Sequence, residues 1–184
     1  MRCFIALEFP PEIKTSIYKS LKKEIEDKPE LKWVSEKNLH ITLKFLGEIP
    51  EKKVSAIGDQ LDKIFKNVRP VKIRLGGIKA FLDRGEVRVL WIEVAEGAEK
   101  IKEFAGKIET SLARMGFKKE KKEFVPHLTI ARARKNPRKR YKPGDFEIKL
   151  DIPDFFIDEI VLFKSTLTPT GPIYERIKVV KLNG

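Results

Sequence analysis

Read as apolar and polar positions, the chain switches repeatedly between the period of a strand and the period of a helix. Residues 2–8 alternate and are rich in β formers, which predicts a strand. Pro10 and Pro11 end it and open a helix whose apolar stripe, Ile13, Ile17, Leu21 and Ile25, recurs every four residues opposite lysines and glutamates. Trp33 and Val34 begin a short extended piece. Leu39-His40-Ile41-Thr42-Leu43-Lys44-Phe45-Leu46 then alternates as a half-buried strand, stopped by Gly47 and Pro50. A second helix fits 51–66 through Val54, Ile57, Leu61, Ile64 and Phe65, and Asn67 and Pro70 close it. Val71, Ile73 and Leu75 alternate with Lys72 and Arg74, and Gly76-Gly77 predicts a bulge or bend before 78–82. Asp83-Arg84-Gly85 has the character of a hairpin turn into a strand at 86–94.

From there the order of elements begins again. A helix at about 97–115 buries Ile101, Phe104, Ala105, Ile108 and Leu112 and stops at Gly116. It leads through a basic loop to Pro126-His127-Leu128-Thr129-Ile130, a second alternating strand 87 residues after the first. Strands at 155–164 and 173–181, joined by Thr168-Pro169-Thr170-Gly171-Pro172, predict a closing hairpin. The reading is α+β, with mainly antiparallel sheets flanked by helices. It is a single bilobal domain, 1–184, of two similar lobes, approximately 1–85 and 86–184, which are not independent. An approximate two-fold axis between such lobes sets the two alternating strands on facing sides of one cleft.

Composition narrows the picture. Hydrophobic residues are 41% and charged residues 36%, and no apolar run approaches a membrane span. The apolar run at the N-terminus is too short for a signal peptide and is broken by Glu8 and Pro10, so a cytoplasmic location is expected. The single cysteine, Cys3, excludes an intramolecular disulfide, makes a cysteine-based metal site improbable, and alternates into an apolar strand as a packing residue. The net charge of +12 gives a field that attracts polyanions. Yet one glutamine and four asparagines among abundant Lys and Glu also describe a hyperthermophile's surface, which is basic without binding anything. The cluster Arg132, Arg134, Lys135, Arg138, Lys139, Arg140 and Lys142 divides in the same way between a solvated loop and a polyanion contact.

The two alternating strands carry the chemistry. His40 and His127 are the only histidines, and each stands two residues before a threonine, Thr42 or Thr129, on the same strand face. Two imidazoles flanking a phosphodiester form a minimal acid and base pair for in-line displacement, and threonine hydroxyls beside them hydrogen-bond the non-bridging oxygens. Two histidines with no adjacent Asp, Glu or Cys fall short of the three protein ligands of a catalytic zinc, and no Gly-x-x-x-x-Gly-Lys loop is present. The expectation is therefore no metal and no cofactor.

The flanking residues extend the pattern. His-Ile-Thr-Leu-Lys-Phe-Leu-Gly at 40–47, His-Leu-Thr-Ile-Ala-Arg at 127–132, and Leu162-Phe163-Lys164-Ser165 followed by Gly171-Pro172-Ile173-Tyr174 are similar to segments of the two-histidine phosphoesterases. The chain most resembles their RNA 2′,3′-cyclic phosphodiesterases, long called 2′-5′ RNA ligases, over nearly its whole length. The resemblance implies hydrolysis of RNA ending in a 2′,3′-cyclic phosphate to a 2′-phosphate, with the reverse reaction joining RNA ends through a 2′-5′ linkage. It implies His40 as proton donor, His127 as proton acceptor, and Thr42 and Thr129 on the phosphate. It also implies substrate contacts from Arg132 and an aromatic at Phe45 against the base. Simple alternation opposes both: Arg132 falls off the His127 face unless the strand twists at 130–132, and Phe45 sides with Ile41 and Leu43 in the core, which is the reading taken for Phe45. The expected partners are RNA with cyclic phosphate ends, tRNA fragments among them, met by a monomer away from membranes. A non-catalytic RNA-binding module and a phosphodiesterase for a small cyclic phosphate are the competing readings.

Overall fold

The computed structural model describes residues 1–169 and 171–184. Thr170, in the middle of the expected closing turn, lies outside the described residues.

Among the described residues, three α-helices and nine strands appear in nearly the order the periodicities predict; the exception is the single strand expected at 155–164, which Asp158 breaks into two strands that join different sheets. The strand β1 (Arg2–Glu8) is followed by α1 (Pro11–Asp27), a short β2 (Leu31–Trp33) and the first histidine strand, β3 (His40–Glu48). Then come α2 (Lys53–Phe65), β4 (Val71–Asp83), β5 (Glu86–Glu96) and α3 (Ala98–Ala113). The second histidine strand, β6 (His127–Ala133), precedes β7 (Phe155–Ile157), β8 (Glu159–Thr168) and β9 (Gly171–Lys181). The apolar stripes are buried as expected, with Ile13, Ile17 and Leu21 of α1 and Ile57, Leu61 and Phe65 of α2 at or below 5% exposure. The rings of Phe65 and Phe104 meet edge-on at 5.0 Å, locking α2 to α3. Cys3 is buried, as its alternation predicts.

All the strand pairings are antiparallel, in two sheets of order β3-β1-β8-β9 and β2-β6-β5-β4-β7. Apart from the added β2, the sheets match strand for strand: β1 corresponds to β5, β3 to β6, β8 to β4 and β9 to β7. The expected division of the chain near residue 85 does not follow them. The strand β4 belongs to the second sheet, and β8 and β9 complete the first. The cause is local. Arg84 and Gly85 both take positive φ, +53° and +82°, so they form a two-residue turn whose twist pairs β4 directly with β5. Gly76-Gly77 is the expected bulge, where the β4–β5 register slips within one continuous strand.

At the start of α3, Gly97 has φ +92°, and a Cβ on it would lie 2.5 Å from the Lys72 carbonyl oxygen. Only glycine lets that helix start so close to β4. The main core lies between helices and sheets, while the opposite face of the first sheet buries a small second cluster, Phe4, Ala6, Val161 and Phe163. Among the described residues, no helix is long and apolar enough to cross a membrane.

Candidate active site

The edge strand β3 and the second sheet's β6 pack against each other, which brings the two histidine motifs to one cleft of about 210 Å³. His40, Thr42, His127, Thr129, Arg132 and Phe45 all line it. All six residues expected at the site are therefore brought together.

Phe45 corrects the core reading, because it is 59% exposed and faces the cleft. The reason is a β-bulge. Along β1, Ile5 pairs with Lys44 but Ala6 pairs with Thr42, so Leu43 is an extra residue. Leu43 and Lys44 both turn to the interior, and Phe45 emerges on the His40 face opposite Phe4. The second motif does the same. Leu90 pairs with Ala131 and Trp91 with Thr129, so Ile130 is extra, Ala131 turns inward, and Arg132 returns to the His127 face. The twist that Arg132 required is this bulge. With an offset of 87 throughout, His40, Thr42, Leu43 and Phe45 correspond to His127, Thr129, Ile130 and Arg132.

Each imidazole is oriented from the residue two before it. The Asn38 carbonyl oxygen lies 2.6 Å from His40 Nδ1, and the Val125 carbonyl oxygen 2.7 Å from His127 Nδ1. A carbonyl only accepts, so both Nδ1 atoms carry the proton and both Nε2 atoms are left for chemistry. His40 Nε2 is 3.0 Å from Thr42 Oγ1, which in the neutral ring donates to it.

The two histidines differ in their surroundings. His40 is packed by Phe4 at 5.0 Å and edge-on by Tyr174 at 5.4 Å, with Phe163 at 6.3 Å. Burial pushes its pKa down from 6.5 to about 4; the Asn38 carbonyl opposes this, and the positive Lys14 and Arg132 add to it. His127 meets Trp91 at 5.7 Å and Phe81 at 5.3 Å. Its pKa is also lowered by burial, opposed by the Val125 carbonyl, with Arg132 adding to the depression.

Several residues at the site were not expected from the chain pattern. Tyr174 lines the cleft against His40, and burial raises its phenol pKa while Arg132 pulls it back. The quoted similarity to Gly171-Pro172-Ile173-Tyr174 was its one signal in the sequence. Asn38 ties its side-chain amide to the Pro172 carbonyl at 2.9 Å, joining the His40 turn to the hairpin that bears Tyr174. Lys44, turned inward by the bulge, reaches Glu109 of α3 at 2.5 Å and the Lys118 carbonyl at 3.0 Å. It thereby fixes β3 to the loop that leads into His127. The Lys44 side chain is 2% exposed, so removing Glu109 strands a buried charge.

Comparison with known proteins agrees with the motifs. Residues 9–169 match the family model described as the 2′-5′ RNA ligase superfamily. The RNA 2′,3′-cyclic phosphodiesterase of Methanocaldococcus jannaschii is 40% identical over 97% of this chain and 99% of its own. That of Aquifex aeolicus is 36% identical over 100% and 98%. Among solved structures, TT0787 of Thermus thermophilus superposes with a TM-score of 0.83 at 27% identity, covering 100% of this chain and 99% of that one. With two bulged histidine motifs meeting in one cleft and relatives matching from end to end, the chain belongs to the 2′-5′ RNA ligase superfamily.

Proposed function

We propose that the protein hydrolyses RNA 2′,3′-cyclic phosphate ends to 2′-phosphates, using His40 and His127 as an acid and base pair without metal or cofactor. The observation that carries this reading is the equivalence of the two imidazoles. Each has Nδ1 committed to a backbone carbonyl, and both line one cleft, beside two threonine hydroxyls. The names of the relatives give the substrate class.

Access favours one division of roles. In an in-line displacement the attacking water and the departing oxygen lie on opposite sides of phosphorus. The departing O3′ stays attached to its own ribose, so it needs no exit, whereas water must arrive from solvent. His40 is enclosed by Phe4, Tyr174 and Phe163, and His127 stands on the open side. His127 is accordingly the base that takes the proton of water, and His40 the acid that returns one to O3′.

Burial holds His40 neutral in the free protein near pH 7. An anionic phosphate set between the histidines offsets that desolvation and favours the imidazolium. The acid is thus charged when substrate is present, and its low intrinsic pKa makes it a strong donor. Thr42 and Thr129 hold the non-bridging oxygens, Arg132 balances charge, and Phe45 packs against the terminal base.

The test is a short RNA bearing a 2′,3′-cyclic phosphate, incubated with the protein in EDTA. Conversion to the 2′-phosphate alone is expected. A 3′-phosphate product overturns the orientation, and unchanged RNA overturns the activity.

A further inference from the structure

The open side of the cleft carries an aromatic surface to which hydrolysis gives no role. Phe81 on β4 is 38% exposed, stacks on Trp91 at 5.0 Å and 26°, and meets His127 edge-on at 88°. The strand correspondence makes it the counterpart of Phe163. Phe163 pairs with Phe4, the neighbour of Phe45, and Phe81 pairs with Val89, the neighbour of Arg132.

Their exposures differ for a structural reason. The long β9 runs beside β8 from Gly171 to Lys181, and its Tyr174 ring packs 6.1 Å from Phe163, which is 5% exposed. The strand in the matching position, β7, has three residues and pairs only with Val71–Ile73, at the far end of β4. No strand covers Phe81 among the described residues.

Two cations occupy strand positions neighbouring Phe81. Lys79 shares its face, in register with Trp91, and is half-exposed, 3.9 Å from Glu93. Exposed Arg88 lies at the register slip beside Phe81's partner Val89, close enough to Arg132 to lower its pKa. A partly exposed aromatic ring with Lys79 and Arg88 at neighbouring positions suits a nucleobase and its phosphate.

We propose that the Phe81–Trp91 surface seats the first nucleobase of a second RNA strand, whose 5′-hydroxyl is thereby presented to His127 in place of water. This rests on the roles argued above for the two histidines. The in-line requirement selects the occupant: the strand carrying the cyclic phosphate has its ribose on the His40 side, so a base beside His127 belongs to the incoming alcohol. The 5′ oxygen bonds to phosphorus and its proton passes to His127. The P–O3′ bond breaks, and O3′ takes a proton from His40. One cyclic phosphate end and one 5′-hydroxyl end become a 2′-5′ phosphodiester, with nothing else consumed. The same surface releases the 5′-hydroxyl strand in the reverse direction.

The experiment gives wild type and Phe81→Leu a cyclic phosphate RNA together with a 5′-hydroxyl RNA and measures the ratio of joined to hydrolysed product. Leucine keeps apolar bulk but removes the stacking face. The ratio should fall about tenfold, the loss of roughly 1.4 kcal/mol of stacking, and Phe81→Trp should restore it. An unaltered ratio in Phe81→Leu overturns the proposal. So does wild-type protein that hydrolyses but never joins as 5′-hydroxyl RNA is raised. If wild type leaves the cyclic phosphate untouched, the assignment of the histidine pair fails first and the acceptor site falls with it.

Discussion

The two halves of the cleft are built from the same strand, bulge and strand pairing, yet one is closed and the other open. Around His40, the long hairpin of β8 and β9 supplies Phe163 and Tyr174, and Phe4 completes an aromatic enclosure. Around His127, the short β7 leaves Phe81 exposed and the imidazole open on its outer side. Repetition supplies two imidazoles oriented in the same way, and the unequal length of one flanking strand makes them unequal in access. The difference also separates Phe45 from Arg132. At equivalent bulged positions, one repeat presents an aromatic ring and the other a cation, which on the proposed function would stack a base and neutralise a phosphate.

Removing either imidazole is the most severe way to break this comparison. His40→Ala and His127→Ala should each lower turnover of a cyclic phosphate RNA by about 10²–10⁴-fold, the range of a general acid or base, while RNA binding in a filter or anisotropy assay stays nearly intact. The more open His127 site is also more accessible to an added base. Exogenous imidazole should therefore rescue His127→Ala better than His40→Ala, and equal rescue would argue against the division into open and closed sides. Thr42→Ala and Thr129→Ala should cost less, at most about 10²-fold in kcat, because each removes one hydrogen bond to a charged oxygen. Serine at either position should recover most of that loss. A threonine variant as inactive as the histidine variants would show that the hydroxyl positions the imidazole rather than the phosphate.

Most of this fold was legible in the chain because its helices carry regular apolar stripes and its strands alternate. The histidine pair was legible for a different reason: the motif occurs twice and uses both histidines. The faces of Phe45 and Arg132 were not readable from alternation, because one inserted residue, Leu43 or Ile130, reverses the phase of everything after it. Nothing in the composition of Leu43-Lys44 or Ile130-Ala131 marks a bulge. Lys44 gives no clue either, since alternation sets it on the His40 face and only the bulge turns it inward to Glu109. The exchange of flanking strands between sheets was half legible. Asp83-Arg84-Gly85 pairs β4 with β5, but the return of β8 to β1 spans more than 150 residues and depends on tertiary packing alone.

The finest test of the closed side is its effect on protonation. The proposed roles need His127 neutral and His40 charged, and kcat/KM against pH reports both groups in the free protein. Burial disfavours each imidazolium, so both values lie below the ordinary 6.5, that of His40 at about 4. The profile should be a bell peaking on the acid side of 6.5, with its lower limb near pH 4. Opening the enclosure reverses the sign of the perturbation. In Tyr174→Ser water reaches His40, its imidazolium becomes less costly, and the lower limb should move to higher pH by up to about one unit, equivalent to roughly 1.4 kcal/mol of desolvation. The upper limb, set by the more accessible His127, should move less. A change in kcat/KM that scales the whole curve without displacing the lower limb would mean that Tyr174 contacts substrate and does not set the proton affinity of His40. A lower limb that moves alone ties the acid's strength to the aromatic enclosure of His40.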